Sequence, residues 1–477
     1  MLALLAAAAL PSGASAGPGL VVGAAEDAAR WGGLAGATTK MSLAQLAGLD
    51  AVRLTSAWRP GLVAPTETEL NQLRIAAGGA QLTGMRVFVA VYNPRSRWTP
   101  RTTARREQFA AYTANLARSV PGVTDVIVGN EPNLNRFWMP QFDRRGRNAA
   151  APGYVRLLAR TYDAVKEAAP EVVVVGGAVS PRGSDNHRLK RHTHSPTRFI
   201  LDMGRAYRAS RRDRPIMDAF SMHPYPTPGH SPLRRHPRST TIGIADYGKL
   251  VRLLGRAFNG TAQPGSELPI VYAEFGIQSK IPKKKRRLYT HLKSPAARQA
   301  VSERVQGNHY GAALALAQCQ PTVVGLLIFH VSDERDARGW QSGLFYADDT
   351  PKSNLARVRA AVHLAREGTL ARCANGKRVN PLERVAFVSE ERRVELLCDR
   401  PCRYVASLVR LPGDASAHTT EPAIAAQGEA PGGEEHAVEL GADVLSPGKY
   451  RYLVRVSAAN SPGSAVVRYG PTVEVVD

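Results

Sequence analysis

Short runs of apolar, mostly β-branched residues alternate along most of the chain with segments in which apolar residues recur every three or four positions. The runs are typical of parallel strands buried on both faces, and the recurrent segments are typical of helices with one apolar face. Eight strands are predicted, at Leu20–Gly23, Ala51–Thr55, Arg86–Val91, Asp125–Val128, Glu171–Gly176, Asp218–Met222, Ile270–Ala273 and Val323–Phe329.

Eight strand–helix units in this order predict an α/β fold, a (β/α)8 barrel spanning residues 18–375. A doubly wound open sheet is the alternative, but no G-x-G-x-x-G turn follows the first strand. The region is longer than a typical barrel of about 250 residues. Because the surplus lies in segments that follow strands, we expect it to surround the C-terminal mouth, where barrels build active sites. These segments are 133–150, 181–198, 225–245, 277–299 and 331–350.

The pattern changes near the C-terminus, where short alternating runs are separated by Pro/Gly turns. This pattern predicts a second domain at 380–477, an all-β sandwich of immunoglobulin-like size. Within it, the small and polar residues of Ala423–Glu435 predict a loop.

The first 16 residues form an apolar stretch that ends in Ala14-Ser15-Ala16, which resembles a signal-peptidase site. We therefore predict a signal peptide at 1–16 and a secreted protein, although the usual basic start is missing and a short uncleaved anchor is the alternative. No later segment has the roughly 20 apolar residues of a membrane span. The four cysteines suit an oxidising compartment, and we expect Cys319 to pair with Cys373 and Cys398 with Cys402. A four-cysteine metal site would require paired C-x2-C spacing, which the chain lacks.

The net charge of +23 is concentrated in the predicted barrel, because residues 381–477 contain ten Lys and Arg against fourteen Asp and Glu. The densest basic runs lie in 187–194 and 280–287. A basic rim attracts anionic ligands, so an acidic glycan bearing uronate or phosphate is one interpretation. A basic surface that adheres to an anionic cell wall is the other. Nucleic-acid binding is not predicted, because no recognisable nucleic-acid module accompanies the basic runs.

Two glutamates follow the fourth and seventh predicted strands, Glu131 in Val-Gly-Asn-Glu-Pro-Asn and Glu274 in Val-Tyr-Ala-Glu-Phe-Gly. Glutamate is rarely buried without a partner, so packing explains this placement poorly. Retaining hydrolysis of a glycosidic bond needs two carboxyl groups about 5–5.5 Å apart. The ends of strands four and seven can face each other across a barrel mouth, and the pair therefore predicts sugar chemistry. Two surface ion pairs are the alternative.

These motifs resemble those of the clan A glycoside hydrolases, which include family 5 cellulases and family 39 xylosidases. The clan has Asn-Glu-Pro at the end of strand four and a Glu, often followed by Phe/Trp-Gly, at the end of strand seven. The resemblance implies that Glu131 is the acid/base, Glu274 the nucleophile and Asn130 a donor to the sugar 2-hydroxyl. It implies no metal and no organic cofactor.

Further positions match the clan less completely. His223 and Tyr225, after the sixth strand, are similar to the His-x-Tyr pair that the clan places beside the nucleophile, and Arg53 matches an arginine near it. An ordinary ion pair in the barrel interior is the alternative for Arg53. The clan's strand-eight tryptophan is missing here, so the resemblance leaves stacking on the sugar to Phe329, His330 or Trp340.

All five tryptophans lie downstream of predicted strand ends, where aromatic faces suit the apolar face of a pyranose. We expect two of them, Trp138 and Trp340, to contact substrate and the others to anchor loops. They are Trp31, Trp58, Trp98, Trp138 and Trp340.

Other catalytic chemistries are less well supported. The histidines of the 187–194 run lack a carboxylate cluster, which argues against a zinc site. No Gly-x-Ser-x-Gly elbow lies on a strand-to-helix turn, as a serine hydrolase would require. The sequence thus predicts a secreted retaining β-glycosidase that acts on a poly- or oligosaccharide. The alternative is a non-catalytic barrel protein that binds glycans or associates with the cell wall.

Overall fold

A closed barrel of eight parallel strands forms the larger part of the protein, with neighbouring strands in sequence order and β1 paired with β8. The computed structural model describes residues 19–373, 378–411, 422–441 and 445–476, so the predicted signal peptide at 1–16 lies outside the described residues. The predicted α/β barrel is confirmed. Its strands are β1 (Val21–Ala25), β2 (Ala51–Ala57), β3 (Arg86–Tyr92), β4 (Val123–Val128), β5 (Val173–Val179), β6 (Ala219–Met222), β7 (Ile270–Phe275) and β8 (Val323–Phe329).

A helix follows each barrel strand, and the connection after β7 carries an additional short helix, α7. Several of the helices begin at a Ser or Thr cap, such as Ser195 before α5, whose hydroxyl accepts the Arg198 N–H. The helices are α1 (Gly33–Leu46), α2 (Glu67–Leu82), α3 (Thr103–Ser119), α4 (Ala150–Ala168), α5 (Pro196–Ala209), α6 (Tyr247–Phe258), α7 (Pro295–Arg298), α8 (Glu303–Gln318) and α9 (Leu355–Glu367).

Alternate positions along each strand face opposite sides of the barrel wall. On β3, Val87, Val89 and Val91 belong to the apolar layer between strands and helices, whereas Phe88 and Ala90 belong to a separate buried cluster inside the barrel. The strand interior is therefore filled with side chains, and polar chemistry is left to the ends of the strands.

Two antiparallel sheets follow the barrel and enclose their own apolar core, which confirms the predicted C-terminal β-sandwich. One sheet has the order β13-β10-β9 and the other β12-β11-β14-β15. The predicted loop Ala423–Glu435 is wrong, because most of it forms β12 and pairs with β11. The strands are β9 (Leu382–Val388), β10 (Arg393–Cys398), β11 (Cys402–Arg410), β12 (Pro422–Ala430), β13 (Glu435–Glu439), β14 (Gly448–Ala458) and β15 (Ser461–Val475).

The sandwich contacts the N-terminal end of the barrel, opposite the mouth. Ala465 of β15 belongs to the buried cluster inside the barrel. Its carbonyl accepts a 2.6 Å hydrogen bond from Arg86 at the start of β3, and Arg86 also pairs with Asp125 of β4 at 2.6 Å. The two charged side chains are 3% and 1% exposed. A buried ion pair thus joins the base of the barrel to the sandwich.

Two disulfides join Cys319 to Cys373 and Cys398 to Cys402, so both predicted pairings are confirmed. Within the described residues, the helices are too short or too polar to cross a membrane.

Replacing Arg86 with Ala tests the importance of the barrel–sandwich contact. The change leaves Asp125 buried without its cation, so we expect the free energy of unfolding to fall by about 3–5 kcal/mol. Arg160→Ala is the matched control, because Arg160 pairs with Glu107 on the surface and its loss is expected to cost at most about 1 kcal/mol. Chemical denaturation measures both, and equal effects of the two variants would contradict the assigned importance of the buried pair.

Candidate active site

Glu274 reaches the mouth of the barrel through an irregularity in β7. The pairing of β7 with β8 shifts register between Tyr272 and Phe275. Both of these residues pack in the layer between strands and helices, although residues three apart in a regular strand would face opposite sides. A β-bulge of this kind re-aims a side chain, and here it allows Glu274 to turn towards the cleft.

Glu131 follows β4 in an unusual backbone conformation. Its φ is 38°, in the left-handed region that residues other than glycine rarely adopt, and its N–H donates to the Ala178 carbonyl at 2.8 Å. The preceding Asn130 is 9% exposed, and its Oδ1 accepts no hydrogen bond from the described part of the chain. Strained backbone and an unsatisfied buried amide are features found at functional sites.

The carboxylate of Glu274 has strong partners on both oxygens. Arg53 of β2 lies 2.7 Å from Oε1, and the Tyr225 hydroxyl donates to Oε2 at 3.0 Å. The Arg53 side chain is 3% exposed and that of Glu274 is 12% exposed. The ion pair is therefore largely removed from solvent, where charged hydrogen bonds are stronger than in water.

These partners decide the ionisation of the pair. Burial alone would raise the pKa of the Glu274 carboxyl, but the charges of His223 and Arg53 and the hydrogen bonds from Tyr225 and Arg53 outweigh it and hold that pKa below its usual value. Burial and the nearby Glu274 charge raise the pKa of the Tyr225 phenol well above its usual value. Glu274 is thus an anion at neutral pH, and Tyr225 is a neutral donor to it.

His223 lies between the two glutamates. Its Nδ1 is 3.4 Å from Glu131 Oε1 and 3.4 Å from Glu274 Oε2, and the side chain is fully buried. Because both oxygens lie at this distance from one atom, they are at most 6.8 Å apart, twice the 3.4 Å separation. The two carboxyl groups therefore face the same small space.

A cleft of about 1140 Å³ opens above the glutamates and collects most of the predicted site residues. The predicted residues that line it are Arg53, Asn130, Glu131, Tyr225, Glu274, His330 and Trp340. His223 lies beneath them and contacts both carboxylates.

The aromatic groups beside the nucleophile come from β8 and the segment after it. The Trp340 ring lies 4.8 Å from that of Tyr225, and it meets the Phe329 ring edge-on at 5.5 Å. His330 is held by both ring nitrogens, Nδ1 by the Ala25 carbonyl and Nε2 by Glu334, each at 3.0 Å. Trp340 and Phe329 thus supply the aromatic surface on this side of the cleft.

Trp340 is positioned by a buried network behind the cleft. Lys352 and Asp333 form an ion pair at 2.7 Å with side chains 0% and 1% exposed. Lys352 also donates to Ser279 after β7, and Tyr289 donates to Asp333 at 2.9 Å. The network fixes the segments after β7 and β8 to each other, and Trp340 lies on the second of them.

The structure does not bring Trp138 into the cleft, so the predicted substrate contact is wrong. Its side chain is 4% exposed and packs edge-on against Tyr154 of α4 at 5.8 Å. Trp58 is also in the core, fully buried, whereas Trp31 is 55% exposed on the surface. Packing of an aromatic ring against a helix explains Trp138, and a position after a strand does not separate this role from sugar stacking.

The cleft also has lining residues that the sequence analysis missed. Tyr92 is the last residue of β3, so the same strand-end signal that marked the glutamates could have found it. His309 lies in the middle of α8, and Arg182 lies in the long connection after β5. No local sequence signal distinguishes these two from surface residues.

The histidines of the 187–194 run pack around the ring of Phe142 at centroid distances of 6.0, 5.5 and 4.3 Å for His187, His192 and His194. Among the described residues, no group of three or more His, Cys, Asp or Glu side chains is placed to hold a metal ion.

Tyr225→Phe tests the origin of the low Glu274 pKa. The variant removes a hydrogen bond that stabilises the carboxylate, so we expect the Glu274 carboxyl to titrate at higher pH than in the wild type. NMR titration of protein with ¹³C-labelled glutamate carboxyls measures it, with the Glu274 signal identified by its loss in Glu274→Gln. Tyr404→Phe in the sandwich is the control and is expected to leave the signal unchanged. An unshifted titration in Tyr225→Phe would contradict this assignment.

Comparison with known proteins places the fold in a wider group. No protein-family model matches the chain, and no curated protein is significantly similar in sequence. A family 39 glycoside hydrolase from Bacteroides cellulosilyticus WH2 is similar in structure, with a TM-score of 0.51 and 15% identity over 95% of this chain and 80% of that one. GH5_18 from Streptomyces cattleya, solved with GlcNAc, has a TM-score of 0.51 and 16% identity over 76% of this chain and 83% of that one. The chain therefore has the barrel fold of the clan A glycoside hydrolases, and the resemblance in the motifs is confirmed at the level of the fold.

Proposed function

We propose that the protein is a retaining β-glycosidase that hydrolyses the O-glycosidic bonds of a poly- or oligosaccharide. The observation that carries this proposal is the position of two carboxylates on one histidine nitrogen, with their facing oxygens at most 6.8 Å apart. Retaining enzymes hold their carboxyl groups about 5–5.5 Å apart, whereas inverting enzymes leave about 6.5–9.5 Å for a water molecule. The bound favours retention.

In this proposal Glu274 is the nucleophile. Its carboxylate is ionised, and Arg53 and Tyr225 fix its orientation. Attack on the anomeric carbon forms a bond between that carbon and a Glu274 oxygen while the bond to the leaving oxygen breaks. The charge that Arg53 stabilises on the free carboxylate is neutralised in the ester and returns when water releases the sugar.

Glu131 acts as acid and then as base. It protonates the leaving oxygen in the first step and removes a proton from the attacking water in the second. Asn130, adjacent to it in sequence, has an unsatisfied amide oxygen in the cleft, and its side chain suits a hydroxyl of the bound sugar. Trp340 and Phe329 offer the aromatic face for the ring.

The rest of the chain fits a secreted enzyme. Two disulfides are typical of proteins that fold in an oxidising compartment, and the apolar segment at 1–16 is proposed as the signal that takes the protein there. We assign residues 18–375 to the catalytic barrel and 380–477 to the sandwich, which covers the end of the barrel remote from the cleft.

Loss of either glutamate is the first test. We expect Glu131→Gln and Glu274→Gln to lower kcat by about 100-fold or more on a substrate found by screening neutral and acidic polysaccharides. Glu107→Gln, on the surface of α3, is the control and is expected to retain activity. The alternative, a glycan-binding barrel without catalysis, predicts binding but no turnover by the wild type and no change in behaviour on Glu274→Gln.

The stereochemistry is the second test. Double displacement inverts the anomeric carbon twice, so the first sugar released is expected to have the anomeric configuration of the substrate. Proton NMR during the first minutes of hydrolysis observes the anomer before mutarotation. A first product of the opposite configuration would refute the retaining mechanism while leaving glycoside hydrolysis itself intact.

A further inference from the structure

Charged residues of opposite sign lie on opposite sides of the cleft. Apart from the two glutamates, the carboxylates that line it are Asp27, after β1, and Glu334, after β8. The arginines other than Arg53 that line it follow β4 and β5. They are Arg136, Arg182 and Arg191. Since β4 also carries Glu131, the arginines lie on the side of the proposed acid/base.

These arginines are not neutralised by the protein. Within the described ranges, none of the three has an Asp or Glu oxygen within 4.0 Å, whereas Arg53 is fully paired with Glu274. By contrast, Asp185 in the same connection is committed to His194 and to the Ser195 N–H. Unpaired cations in a cleft raise the local concentration of anions and steer them into it.

Arg182 is the best placed of the three. It is half-buried, and its Nη1 donates to the Tyr225 carbonyl at 3.0 Å, which fixes the guanidinium next to the residue that contacts the nucleophile. Burial lowers the pKa of Arg182, while the charge of Glu131 raises it in part. A partly desolvated guanidinium without a carboxylate is stabilised by any anion that reaches it, and its planar fork suits carboxylate or phosphate.

Arg136 extends this surface. Its guanidinium lies 5.3 Å from the centre of the Phe137 ring, and Phe137 also lines the cleft. An aromatic ring beside a cation offers one contact for the apolar face of a sugar and another for an anionic substituent on it.

We propose that the leaving-group side of the cleft binds a sugar residue that carries an anionic group, a carboxylate or a phosphate, through Arg182 with Arg136 and Arg191. The identity of this side rests on the proposed function, because an acid/base protonates the leaving oxygen and so lies nearest to the leaving group. The protein thus selects an acidic glycan by the charge of the part that departs.

Binding to an inactive protein tests the inference without turnover. The full chain carrying Glu131→Gln and Glu274→Gln is titrated calorimetrically with cellotetraose, with cellotetraose oxidised at C6 to uronates, and with cellotetraose phosphorylated at C6. We expect at least one anionic form to bind about tenfold or more tightly than the neutral one, with the preference falling as salt rises. The form preferred distinguishes carboxylate from phosphate as the anionic group.

Added variants separate a specific contact from the overall positive charge. Arg182→Gln keeps a donor for the Tyr225 carbonyl but removes the charge, and we expect it to reduce the anionic-over-neutral preference about fivefold or more, with Arg182→Lys restoring part of it. Arg136→Gln is expected to reduce the preference too. Arg359→Gln, exposed on α9, removes the same charge outside the cleft and is expected to change nothing.

Equal affinity for the neutral and anionic forms overturns the inference, and so does a preference that Arg182→Gln and Arg359→Gln reduce equally. Failure of the proposed function has a different signature, since it would appear as absence of turnover by the wild type whatever the preference in binding.

Discussion

The buried contact between Arg53 and Glu274 is the constraint on which the site depends. A carboxylate that is 12% exposed requires strong compensation, and it has a guanidinium on one oxygen and a phenol on the other. The register shift in β7 allows the carboxylate to reach this position. Strand geometry, burial and ionisation are therefore linked, because a regular strand would direct this side chain towards the helices and away from both partners.

His223 turns two separate carboxylates into one site. It is fully buried, and a single nitrogen lies at the same distance from a Glu131 oxygen and a Glu274 oxygen. The segment after β6 contributes Tyr225 as well, so it contacts the nucleophile through two side chains. The distance between the glutamates is thus set by a neighbour that belongs to neither of their strands.

Much of this arrangement was predictable, because buried parallel strands are recognisable as apolar runs and the residues after such strands lie at one end of a barrel. That rule located Glu131, Glu274, His223 and Tyr225. It could not distinguish Trp138, whose ring packs under α4, from a residue of the cleft, because both roles occur after a strand. The register shift in β7 depends on pairing with β8, so nothing in the local sequence of β7 reveals it.

The sandwich shows a similar limit of local patterns. Strand β12 is rich in small residues and contains a glycine, so its sequence resembles a loop, yet its backbone pairs with β11 along nearly its whole length. Its structure is determined by the neighbouring strand. The Gln320 side chain, which accepts from Tyr272 and donates to the Ile244 carbonyl, is likewise determined by partners far apart in sequence.

The two ends of the barrel have different roles. The sandwich covers the N-terminal end through Arg86 and Ala465, where charge is paired and buried. The long segments at the other end leave arginines of the cleft without carboxylates, next to an acid/base and a nucleophile. Structural charges are thus neutralised within the protein, and those beside Glu131 are left for a ligand.

The central claim is that Glu274 attacks the sugar. The most direct measurement is mass spectrometry of the intact protein and its peptides after incubation with a 2-deoxy-2-fluoro glycoside bearing a good leaving group, which slows release of a covalent intermediate. The account predicts one added sugar per protein, attached to Glu274 and absent in Glu274→Gln. Attachment to another residue, or hydrolysis of the true substrate by Glu274→Gln at the wild-type rate, would contradict it.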